Sequence, residues 1–136
     1  MVRAVLDTGV LIAALLSASG APAALVQAWL QGHFDLIVSP KLLAELQRVL
    51  LRRKFRRYVT EEEASAYVRM FARLAEVTPD PEAQERLTPD PGDDYLVALA
   101  RAADADLLVS GDPHLTGLTE AVPPVLTPRR FLERLG

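Results

Sequence analysis

The chain reads as an α/β protein: one domain on a central parallel sheet of four to five strands, flanked by helices on both faces. Two observations predict this. Short apolar runs of strand length alternate with longer stretches whose apolar residues recur at helical spacing, the signature of parallel strands joined by covering helices. The runs are also apolar almost throughout, as strands buried on both faces must be. A length of 136 residues suits a single core.

In order, Val2 to Leu6 is the first strand and Gly9 to Leu16 a short helix. Pro22 fits the first turn of the next helix, where its missing N–H costs nothing. Leu25, Val26, Trp29 and Leu30 form the buried face of that helix, and Gly32 ends it. Phe34 to Val38 (FDLIV) is the second strand. Ser39-Pro40, a side-chain cap followed by a first-turn proline, opens a helix that buries Leu42, Leu43, Leu46, Val49 and Leu50. Thr60 with Glu63 makes a capping box for a helix facing inward through Ala64, Tyr67, Val68, Phe71, Leu74 and Ala75.

Glu76 to Thr78 is a short edge strand stopped by Pro79, and four prolines mark Thr78 to Gly92 as a surface loop. A helix apolar nearly all round follows from Asp93, then a buried strand from Asp106 to Ser110. Val122 to Leu126 includes a last strand, and Thr127-Pro128 repeats the cap-plus-proline start for a terminal helix.

Composition removes several function classes. With no cysteine there is no disulfide, thiol nucleophile or zinc-thiolate site, which fits a cytoplasmic protein. No run approaches the roughly 18 apolar residues of a membrane span. Arg3, the apolar run to Leu16 and the small residues from Ala18 to Ala23 imitate a signal peptide, but Asp7 falls beside its apolar core, where charge opposes insertion. The formal charge of −3 sums 15 basic and 18 acidic residues, so several acids gathered at one site would leave the remainder near balance and a polyanionic substrate admissible.

The acids are where chemistry is expected. Asp7 and Asp112 each follow an apolar strand at its carboxyl end, the edge at which α/β sheets bind ligands. Glu45 stands at the border of the buried face of the helix after the second strand, and Asp93 and Asp94 begin the helix that leads to the fourth. Carboxylates so gathered repel one another and raise each other's pKa unless a cation intervenes. Oxygen-only ligands suit Mg²⁺ or Mn²⁺, and such sites serve phosphoryl transfer. Arg48, Arg52, Arg53, Lys54, Arg56 and Arg57 form the one dense basic cluster, either a solvated face or a phosphate-contacting patch. Asp7-Thr8-Gly9 also spells an aspartic-protease motif, but those enzymes are nearly all-β and need two such aspartates. With only His33 and His114 and no Gly-x-Ser-x-Gly elbow, a serine hydrolase is no better supported.

VLDTGVLIAALL, SPKLLAELQRVL, DPGDDYLVALA and DLLVSGD, in this order and spacing, resemble the PIN domain family, most closely the VapC-like toxins of bacterial toxin–antitoxin pairs. The resemblance implies a sheet of order 3-2-1-4-5 and a Mg²⁺- or Mn²⁺-dependent endoribonuclease. It further implies an RNA substrate, an antitoxin partner and a homodimer. By position it assigns the catalytic, metal-binding acids to Asp7, Glu45, Asp94 and Asp112, with Asp93 as the register alternative to Asp94. Thr8 and Ser110 match hydroxyl positions that orient carboxylates or water, and Arg52, Arg53 and Arg56 are the candidate RNA contacts. Gly9 stands where the family commonly has Asn or Ser, so a hydrogen bond near Asp7 is missing. The rival reading is a PIN-like RNA-binding or adaptor domain without activity.

Overall fold

In the computed structural model, which describes residues 1–118 and 123–136, the apolar runs enter a single parallel sheet. Its strands are β1 (Arg3–Leu6), β2 (Asp35–Val38), β3 (Glu76–Val77), β4 (Leu107–Val109) and β5 (Val125–Leu126), in the order β3-β2-β1-β4-β5. The expected last strand is shorter than Val122 to Leu126, and Val122 itself lies outside the described residues. The helices are α1 (Thr8–Leu16), α2 (Ala21–Leu30), α3 (Pro40–Leu50), α4 (Glu61–Leu74), α5 (Pro91–Ala102), α6 (Pro113–Thr116) and α7 (Pro128–Leu135), with a 3₁₀ turn at Arg53–Phe55. Among the described residues, no single helix is long and apolar enough to cross a membrane.

Local chemistry sets most of the boundaries. The side chains of Asp7, Ser39, Thr60, Asp90, Asp112 and Thr127 each accept a backbone N–H at the start of a helix, and the Thr60–Glu63 capping box is complete. Gly32 ends α2 with a φ of +83°, a conformation that favours glycine. Two expected core residues are on the surface: Leu30 is 44% and Leu74 62% exposed. Both occupy the last helical position, where the chain turns off the sheet and the apolar stripe has nothing left to cover.

Val5, Ile37 and Leu108, on the three central strands, are completely buried, as covering on both faces demands. The crossovers from β1 to β2 and from β2 to β3 run in the same direction along the sheet, which under the right-handed rule puts α1–α4 on one face. There Trp29 stacks on Phe71 at 5.2 Å and Tyr67 meets the same ring edge-on at 4.8 Å. The return from β3 carries α5 to the other face, against β1 and β4. The chain thus runs outward from β1 to β3, then resumes on the other side of β1. Strand order reverses between β1 and β4, and the crevice beyond their carboxyl ends is the place such a sheet offers a ligand.

Candidate metal centre

Asp7 leaves β1 and caps α1. Its backbone N–H donates to Val109 O of β4 at 2.9 Å, and its Oδ1 accepts the Val10 N–H at 2.7 Å. Its Oδ2 accepts the hydroxyl of Ser110, which leaves β4 alongside it. Ser110 is fully buried, and its oxygen in turn accepts the Asp112 N–H at 3.0 Å. One hydroxyl therefore fixes two acids from two strands. Thr8 lines the same crevice, as does Gly9, whose missing Cβ would lie 3.4 Å from Asp7 Oδ1.

α5 supplies the facing wall. Asp90 caps the helix by accepting the Gly92 N–H at 2.8 Å, and Asp93 follows in the first turn. A cavity of about 180 Å³ is lined by Asp7, Glu45, Asp90, Asp93, Leu42 and Tyr95 among others. Asp90, Asp93 and Asp112 present carboxylate oxygens within 4.8 Å of one another. Among the described residues, no cationic side chain lines this cavity.

The expected electrostatic strain is present. Burial raises the Asp93 carboxyl, and its contact with Asp112 and the charges of Asp112, Asp90 and Asp7 raise it further, to about 7. Burial also raises Asp7, against the opposing hydrogen bonds from Ser110 and Val10 and with the charge of Asp112 adding to it. Asp112 is held below the usual carboxylate range by the His114 N–H and by the contact with Asp93. Asp93 Oδ2 is buried without any hydrogen-bond partner. A buried carboxylate oxygen with no donor, among other carboxylates, is what a hard cation would satisfy.

The structure brings Asp7, Glu45 and Asp112 to this crevice, but Asp94 faces elsewhere. Its Oδ1 accepts the N–H groups of Leu87 and Thr88 at 3.0 and 2.8 Å and the Thr88 hydroxyl at 3.0 Å. Asp94 thereby ties the proline-rich loop to α5, and the register alternative Asp93 takes the site-facing position. Successive helical side chains point about 100° apart, so only one of the pair can face the crevice. Glu45 lies on the rim, its side chain 46% exposed and paired with Arg48 at 3.2 Å. Asp90 is not among the acids expected at the site, yet Asp90-Pro91 repeats the cap-plus-proline pattern of Asp112-Pro113 and could have been recognised by it.

The basic cluster divides. Arg56 donates to Leu50 O at 2.6 Å and so closes the end of α3, whereas Arg52 and Arg53 are exposed. From Glu45 to its end at Leu50, α3 advances about 7.5 Å away from the crevice, and Arg52 and Arg53 follow beyond that end.

A doubly wound sheet with carboxylates converging at its order reversal defines an α/β protein with an acidic crevice at the usual ligand position of such folds. The chain belongs to the PIN domain family, whose model matches residues 3–114. No curated protein matches it in sequence. Among solved structures it is similar to VapBC2 from Rickettsia felis bound to a DNA fragment from their promoter, with a TM-score of 0.64, 16% identity, and coverage of 91% of this chain and 96% of that one. PAE2754 from Pyrobaculum aerophilum is also similar, with a TM-score of 0.67, 19% identity, and coverage of 98% and 89% respectively. At these identities the likeness is one of fold.

Proposed function

We propose that this protein is a Mg²⁺- or Mn²⁺-dependent endoribonuclease that hydrolyses RNA phosphodiester bonds, and that it is the toxin of a toxin–antitoxin pair. The observation that carries the reading is Asp93: a buried carboxylate oxygen without a donor, facing Asp112 and Asp90 in a crevice shared with Asp7. Family membership and the likeness to VapBC2 support the toxin role and an antitoxin partner; the homodimer belongs to the proposal on the family resemblance alone. The absence of cysteine agrees with work in the cytoplasm.

In this reading Asp7, Asp93 and Asp112 hold the cation, with Glu45 over the rim. When bound, a divalent cation lowers the pKa of water and offsets charge on the phosphate. The protein's own part is positional. The Ser110 hydroxyl holds Asp7 and the Asp112 backbone in register, so the acids of β1 and β4 keep a fixed spacing. The N–H groups of Val10 and His114 occupy one oxygen each of Asp7 and Asp112 and bias both toward the ionised form a cation needs.

The test is purified protein with single-stranded RNA. Cleavage is expected with Mn²⁺ or Mg²⁺, lost on chelation and lost in Asp7→Asn. RNA left intact under every divalent metal would leave an RNA-binding or adaptor domain as the reading, and cleavage surviving Asp7→Asn would remove Asp7 from the site.

A further inference from the structure

We propose that Asp90 is a metal ligand in this chain, and that it contributes more to holding the cation than the rim residue Glu45 does. This rests on the metal reading above. The oxygens of Asp90, Asp93 and Asp112 lie within 4.8 Å of one another. A single ion about 2.1–2.5 Å from each of its ligands spans oxygen pairs up to about 4–5 Å apart, so small side-chain adjustments suffice. Asp93 is 8% exposed, and its buried Oδ2 has no hydrogen-bond partner among the described residues.

Capping requires only an oxygen at position 90, although the helix dipole also favours a negative charge there. The Gly92 N–H uses Asp90 Oδ1 alone, and Asn or Ser caps a helix as well. The negative charge also adds to the repulsion on Asp93, a cost that becomes a gain once a cation sits between them. Glu45, exposed like Asp90, differs in two respects: its carboxylate already pairs with Arg48, and it stands on α3 outside the close trio.

Mn²⁺ titration of the metal-free full chain, by calorimetry and by loss of the free-ion electron paramagnetic resonance signal, separates the possibilities. Asp90→Asn and Asp90→Ser both keep a capping oxygen and should melt near the wild type in chelator. Both are expected to weaken Mn²⁺ binding by about tenfold or more, and Glu45→Gln by less than about threefold, on the scale by which losing one supporting group weakens a metal site. Wild-type affinity in both Asp90 variants, or an equal or larger loss in Glu45→Gln, would overturn the assignment. If the wild-type chain binds no Mn²⁺, the metal reading and this inference fall together. Binding and RNA cleavage by wild type with Asp90→Ser unchanged would sink the inference alone.

Discussion

One residue step along α5 separates an acid that faces the crevice from one that holds a loop. Asp94 accepts two backbone N–H groups and a hydroxyl while 1% exposed, so its removal strands buried donors. Asp94→Ala should therefore cost about 2 kcal/mol or more in a denaturant melt. Its Mn²⁺ affinity should stay within about threefold of wild type, whereas Asp93→Asn should weaken binding at least about tenfold. Equal loss of affinity in the two variants would put Asp94 back among the ligands. The pair Asp93-Asp94 could be recognised in the sequence as important, but not resolved. Which acid faces inward depends on where α5 starts and how it rotates over β1 and β4, a matter of packing that no short motif encodes. The strand-end positions of Asp7, Ser110 and Asp112 were legible because there a polar residue interrupts an apolar run.

Elements carry the next layer of meaning. The hydroxyl of Tyr95 on α5 lies 2.6 Å from Ser39 Oγ, the cap of α3, and also donates to Asp80 in the loop. The helices bearing Glu45 and Asp93 are thus pinned together close to the crevice. Helix starts could be read from sequence because capping is local, and the surface loop from its prolines. Arg56 could not, since its role depends on a carbonyl left open at the end of α3. In the proposed reading, that division has a measurable consequence for RNA binding. Arg52→Ala with Arg53→Ala should weaken binding and flatten its salt dependence, by about 0.7 in slope for each single-strand phosphate that is no longer neutralised, while the melting temperature holds. Arg56→Ala should instead lower the melting temperature. An unchanged salt slope in the Arg52/Arg53 variant would make that pair a solvated face.

At the scale of the molecule, the site sets stability against charge. Asp93 titrates near 7 when folded, against about 3.9 for an unconstrained aspartate. A raised folded pKa means that protonation favours the folded state. The contribution is complete below about pH 4 and is lost as pH climbs through 7. Asp7 acts in the same direction, while Asp112, shifted down, has its window below about pH 4. In chelator the melting temperature should therefore fall by several degrees between pH 5 and pH 8, and Mn²⁺ should reverse the fall at pH 8. A flat profile in chelator would mean that Asp93 is not strained. The sheet itself was legible because its strands are fully apolar and its helices amphipathic, and strand order followed from the family resemblance rather than from any one run. That order also gives the protein a timetable. β1 is made first but is enclosed only when β4 arrives, and Ser110 is 103 residues beyond Asp7, the acid it steadies. A growing chain on the ribosome therefore carries Asp7 and Glu45 long before Asp93, Ser110 and Asp112 exist to join them. In the proposed reading, the cell that makes this nuclease is spared its activity until the segment carrying Asp93, Ser110 and Asp112 has been made.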